Sequence, residues 1–262
     1  MTHVHPDHYG LAGQVKERSG ATVIIHQRER DLIRSRYKNP EQLLAQMGDW
    51  LIMHGVPKDS MDDLKTSAMP VRAFVDAVEP DEVVWGGEQL NIGRFDFEVW
   101  WTPGHSPGHI CFLERGKKFI LTGDHVLPTI TPNISLHPQQ QGNPLGDYIA
   151  SLKRLEDLDV ELVLPAHEYS FADLRGRLQS IEQHHVDRLN EMVVCVGDGP
   201  RTAFDVAGRV KWVTGTLATF SSWMQRAALG ETLSHLDYLV LEGRLVKYME
   251  NGTQYYKKPS ND

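Results

Sequence analysis

An α/β fold is predicted, closed by a small module of helices and one hairpin. Three observations predict it. Short apolar, β-branched runs such as Ala21 to Ile25 and Glu161 to Leu164 alternate with stretches of helical periodicity. Phe95, Phe97 and Val99 alternate with Asp96, Glu98 and Trp100, as in a half-buried strand. Near the end, Asn251-Gly252 separates two alternating runs, a strong hairpin signal.

The elements follow in order. A helix is expected over residues 10–19, just after a histidine cluster, and a buried strand over 21–25. Residues 27–78 read as mainly helical. Leu43, Leu44, Met47, Trp50 and Leu51 recur at helical spacing and Met53 continues the face, as core packing or as a lid over a pocket. Val83 to Trp101 reads as paired strands broken at Gly86-Gly87. Ile110 to Leu113 and Lys118 to Leu121 flank a hairpin turn at Glu114-Arg115-Gly116-Lys117. Residues 126–146 hold four prolines and should be loop. Tyr148 to Leu158 is amphipathic. In 172–194, Leu174, Leu178, Ile181, Leu189 and Met192 share one helical face.

Gly197-Asp198-Gly199-Pro200 marks the expected domain boundary, with 1–196 before it, 172–194 as a connecting helix, and 197–262 after it. Helices are expected at 201–212, 219–228 and 231–242, then the hairpin. Three helices and a hairpin describe a winged-helix-like domain.

Composition narrows the function classes. The chain has 262 residues and a formal charge of -8, which argues against a nucleic-acid partner. Residues 201–262 carry eight Lys/Arg against six Asp/Glu, too even for a nucleic-acid footprint. No run of about 18 apolar residues exists, so no membrane helix is expected. Cys111 and Cys195 sit in apolar surroundings without a CxxC and read as buried free thiols, which fits a cytoplasmic location.

The chemistry concentrates in the first eight residues. Thr2-His3-Val4-His5-Pro6-Asp7-His8 places three imidazoles and a carboxylate within six positions. His3 and His5, two apart on an extended chain, point the same way and can share one ion. Asp7 and His8, after the chain turns at Pro6, can face a second. Three more candidates each sit just past an apolar strand: His105 in Thr102-Pro103-Gly104-His105-Ser106-Pro107-Gly108-His109, Asp124 after Leu121-Thr122-Gly123, and His167 after Leu164-Pro165-Ala166. This nitrogen-and-oxygen set, without thiolate, suits two divalent ions, zinc foremost with iron or manganese as alternatives. It points to a metal-dependent hydrolase. His109 and His125 neighbour these motifs and stay open between a structural role and a direct or supporting one. His26, His54, His137, His184, His185 and His235 read as structural.

His3-Val4-His5-Pro6-Asp7-His8 resembles the HxHxDH signature of the metallo-β-lactamase-fold hydrolases, and His105, Asp124 and His167 match the later ligands in order and context. The phrasing is most similar to the glyoxalase II and thioesterase or lactonase branch. The resemblance covers roughly residues 1–192. It implies an αβ/βα sandwich, with one metal held by His3, His5 and His105, a second by Asp7, His8 and His167, and Asp124 bridging them. The tail is similar to that of a subgroup with thioesterase-like and endoribonuclease-like members. Members of this family carry several strands before the motif, and here they are missing. The expected fold is therefore an N-terminally truncated sandwich, with an exposed apolar edge and with His3 and His5 on a frayed terminus.

The site implies attack of a metal-activated hydroxide on a carbonyl carbon, with Asp7 as ligand and proton acceptor and Tyr169 as an oxyanion donor or a rim packing residue. An acyl thioester or related ester is the expected substrate. A lactone, a phosphodiester or RNA, and a truncated inactive chain are the alternatives. A small-molecule acyl partner and a homodimer are expected, and neither nucleic acid nor membrane.

Overall fold

The computed structural model describes residues 1–259. Its contacts gather into two compact units. The first holds Met1–Pro40, Pro70–Pro132 and Gly146–Glu182, and the second Glu41–Met69, Asn133–Leu145 and the chain from Gln183 onward.

In the first unit a five-stranded sheet runs in the order β3-β4-β5-β6-β7, with β3 at Gln89–Ile92, β4 at Phe95–Trp101, β5 at Ile110–Glu114, β6 at Phe119–Gly123 and β7 at Leu162–Pro165. The pairs from β3 to β6 are antiparallel, and β6 pairs β7 in parallel. The expected hairpin at Glu114-Arg115-Gly116-Lys117 forms, whereas the pair expected over 83–101 turns at Gly93-Arg94, past the expected break at Gly86-Gly87. Phe97 and Val99 are buried, as their alternation requires, and all five residues of β5 are buried. A second, two-stranded sheet pairs β1 (Ile24–His26) with β2 (Glu82–Val84) in parallel.

Helices α1 (Pro6–Tyr9), α2 (Ala12–Ser19) and α3 (Gln27–Ile33) flank β1. Pro6 starts α1, where its missing N–H costs nothing. Val4, Tyr9, Ala12, Ile25 and Ile33 form one buried cluster. The terminus is therefore not frayed. The Met1 ammonium donates to Ile24 O at 2.8 Å, Ile110 N–H to Thr2 O at 3.1 Å, and Val4 N–H to Glu29 Oε2 at 3.0 Å. Sheet and helix contacts hold the first four residues, and Val23 and Ile25 beside and within β1 are buried.

Three further helices lie within 41–72: α4 (Glu41–Met53), α5 (Met61–Thr66) and α6 (Met69–Arg72). Met47 and Leu51 of α4 are buried in the second unit, where α4 packs against α5. Met53 departs from the expected stripe and is exposed. The 126–146 segment is loop up to α7 (Pro144–Leu155), and α8 (Leu174–Val196) carries the expected apolar face, with Leu178, Ile181 and Met192 fully buried.

The tail differs from expectation in its helices: the first covers only five residues of the expected 201–212, and the next two are one. It contains α9 (Ala203–Ala207) and a single α10 (Ser222–Leu241), where two helices were expected. Gly230 does not break the helix. A Cβ there would stand 2.8 Å from Ser135 Oγ, so this glycine allows close approach of the 133–145 segment. The hairpin of β8 (Val246–Glu250) and β9 (Thr253–Lys257) turns at Asn251 and Gly252, both left-handed.

Candidate metal centre

Each strand of the large sheet that approaches the site ends in a tight turn carrying a ligand-type side chain. His105 follows β4, Asp124 follows β6 and His167 follows β7. Two glycines make these turns. Gly104 has φ +139°, and a Cβ there would meet Tyr148 Cβ at 2.4 Å. Gly123 has φ +51°, and its Cβ would meet His109 Nε2 at 2.7 Å.

All seven expected ligands converge, in two groups. His5 Nδ1 lies 3.0 Å from His3 Nε2 and 2.9 Å from His105 Nε2. The second group is Asp7, His8, Asp124 and His167. His8 Nε2 is 3.2 Å from Asp124 Oδ1 and 3.5 Å from Asp7 Oδ2, and His167 Nε2 is 3.2 Å from Asp7 Oδ2. Asp124 faces both groups, with Oδ2 3.4 Å from His105 Nε2 and Oδ1 3.4 Å from His167 Nε2. Within each group one donor atom per residue lies within 4.8 Å of the others.

The donor set fits divalent cations. His8 Nε2 and Asp124 Oδ1 are buried and, although close, make no hydrogen bond, so with the ring neutral both are left for a cation to satisfy. His3 is fully buried, whereas the Asp7 side chain is 56% exposed and that of His167 41%. The second group is thus the more open to solvent.

Electrostatics follow the same division. Burial, reinforced by the neighbouring His5 and His105, holds His3 well below its usual pKa, so its ring is neutral. Contact with His8 is the largest cause lowering Asp7 to about 2. Burial opposes charge on His8, but Asp124 and Asp7 outweigh it and raise the ring to about 9.

His109 and His125 are not in either group. His109 Nε2 accepts from Asp124 N–H at 3.2 Å, so the ring carries its proton on Nδ1, which faces Thr102 Oγ1 at 2.9 Å. It therefore holds the backbone of Asp124 in place. His125 is buried against Tyr148, whose hydroxyl donates to His125 O at 2.8 Å, and burial lowers its ring to about 3. Tyr169 stands 59% exposed on the segment that leaves β7.

Two acidic groups have no forecast in the sequence. Glu168, left-handed at φ 69°, accepts from Thr129 N–H at 2.9 Å and from the Thr129 hydroxyl, bracing the chain beside His167. Glu29 is fully buried behind the His3-His5 segment. His26 caps α3 by accepting from Arg28 N–H and stacks on Trp101, while His185 and His235 pair in the second unit, so these three are structural as expected. Cys111 and Cys195 are buried free thiols.

The family model of the metallo-beta-lactamase superfamily matches residues 1–167. The chain belongs to that superfamily. A crystal structure of the metallo-beta-lactamase family protein TTHA1429 from Thermus thermophilus superposes with a TM-score of 0.83 at 31% identity, covering 98% of this chain and 78% of that one. Hydroxyacylglutathione hydrolase GloC of Haemophilus influenzae is 34% identical over 128 residues, 47% of each chain. Human acyl-coenzyme A thioesterase MBLAC2 is 29% identical over 174 residues, 65% of this chain and 55% of that protein. The chain spans about half the length of the curated relatives it matches.

Proposed function

We propose that this chain is a dinuclear metal-dependent hydrolase acting on acyl thioesters or related esters. The observation that carries the reading is Asp124, whose two carboxylate oxygens face different ligand groups. A carboxylate so placed can bridge two cations, one held by His3, His5 and His105 and one by Asp7, His8 and His167. The imidazole-rich set suits zinc, with iron or manganese as alternatives.

Bound divalent ions supply Lewis acidity toward a carbonyl oxygen and acidify water. The chain's own residues do the rest. Asp7, ionised at neutral pH and half-exposed, accepts a hydrogen bond from the attacking water and orients it. Asp124, held by His109, keeps the two groups in register. Tyr169, two residues past His167, donates to the developing oxyanion.

The names of GloC and MBLAC2 support a thioester as the scissile bond. No helix among the described residues is long and apolar enough to cross a membrane, and two free thiols suit a cytoplasmic setting. The full-length zinc-loaded chain is tested on an acyl-CoA thioester, a homoserine-type lactone and a bis-aryl phosphodiester. Thioester turnover abolished by Asp124→Ala is expected. Faster turnover of the lactone or the phosphodiester would replace the substrate assignment, and inertness toward all three with fewer than two ions bound would sink the proposal.

A further inference from the structure

The His3-His5 segment and the His105 loop are joined through one buried carboxylate. Glu29 Oε2 accepts from Val4 N–H at 3.0 Å, and its Oε1 accepts from Gly108 N–H at 2.8 Å. Val4 separates two imidazoles of the first group, and Gly108 lies three residues past the third. Glu29 is the third residue of α3, where a glutamate ordinarily reaches back to the N-cap of its own helix. Here it is fully buried and spans two other segments.

Two further observations make the junction a built one. Gly108 has no room for a side chain: a Cβ would meet Glu29 Cγ and His26 Nδ1, each at 2.8 Å. Next to it, His26 stacks on Trp101 at 5.5 Å, and Trp101 Nε1–H donates to Pro107 O at 3.0 Å. The start of α3 is thus fastened to the His105 loop at two points. Among the described residues Glu29 has no ion-pair partner, and a carboxylate buried on two backbone donors alone is costly to keep.

We infer that Glu29 is a positioning residue that sets the spacing of His3, His5 and His105 and so the affinity of the first metal ion. This rests on the metal-binding reading above. Glu29→Gln tests it with little change of shape, because the amide can accept one of the two N–H groups but turns a donor toward the other.

The readout is metal affinity in the full chain, measured by zinc competition with a chromophoric chelator in two backgrounds. In His167→Ala, which leaves the first group intact, Glu29→Gln is expected to weaken zinc about 10- to 100-fold and to shift the visible absorption of bound cobalt(II). In His105→Ala, which leaves the second group intact, it is expected to change neither. Gly108→Ala presses on the same junction from the other side and should reproduce the selective loss if Glu29→Gln fails to fold. An equal loss in both backgrounds would reduce Glu29 to a packing group, and no loss in either would overturn the inference outright. If the parent chain takes up only one ion, the dinuclear reading fails, while the comparison within His167→Ala still judges Glu29.

Discussion

The ring of His8 imposes two opposite pH dependences, and both can be measured. Asp124 and Asp7 lie 3.2 and 3.5 Å from it and, against its burial, raise its pKa from 6.5 to about 9. In chelator-stripped protein the protonated ring stabilises the fold. That contribution is complete below pH 6.5 and is lost as pH rises through about 9. A rise of about 2.5 in pKa, at about 1.4 kcal/mol each, comes to roughly 3 kcal/mol, and water reaching the exposed Asp7 carboxylate trims it to about 2 kcal/mol. Cation binding runs the other way, because it needs the neutral ring. Affinity of the second group should climb about tenfold per pH unit between about 7 and 9, then level off. His3 is neutral and Asp7 ionised across that range, so neither adds to the slope. Urea unfolding followed by circular dichroism reads the first effect, and zinc competition at stepped pH reads the second. His8→Asn should flatten both. If the variant keeps either slope, His8 is not the group that titrates.

Two other perturbations follow from the same geometry. His109→Phe keeps the ring volume but leaves the buried Asp124 N–H without its acceptor, at about 1–3 kcal/mol in urea unfolding, together with weaker metal retention on dialysis. Unchanged metal retention would show that the backbone of Asp124 needs no such brace. Gly104→Ala combines a left-handed φ with a Cβ 2.4 Å from Tyr148, so a loss of more than about 2 kcal/mol is expected by thermal melting. A melting point like that of the parent would mean that the turn before His105 has another conformation.

Much of the centre is legible in sequence because its ligands are local. His3, His5, Asp7 and His8 occupy six positions, and extended chain followed by a one-turn helix leaves them few directions to point. His105, Asp124 and His167 each follow an apolar strand and a turn residue, and strand ends of one sheet lie close together. The hairpin at Asn251-Gly252 is legible for the same reason, since its backbone angles are a property of those two residues. The continuity of α10 through Gly230 is not legible, because the small size of that glycine serves contact with Ser135, and contact at that distance in sequence leaves no local pattern.

Sequence by itself determined the candidate ligand residues, the fold class and the family, since these rest on short-range spacing and strand periodicity. Only the tertiary structure decided that Asp124 faces both groups, that His109 binds the backbone N–H of Asp124, and that Glu29, within the unremarkable run His26-Gln27-Arg28-Glu29-Arg30, reaches Val4 and Gly108. A carboxylate on the first turn of a helix looks the same in sequence whether it meets water or two buried backbone amides. What distinguishes them is which distant segments pack over it, and that is settled by the fold as a whole.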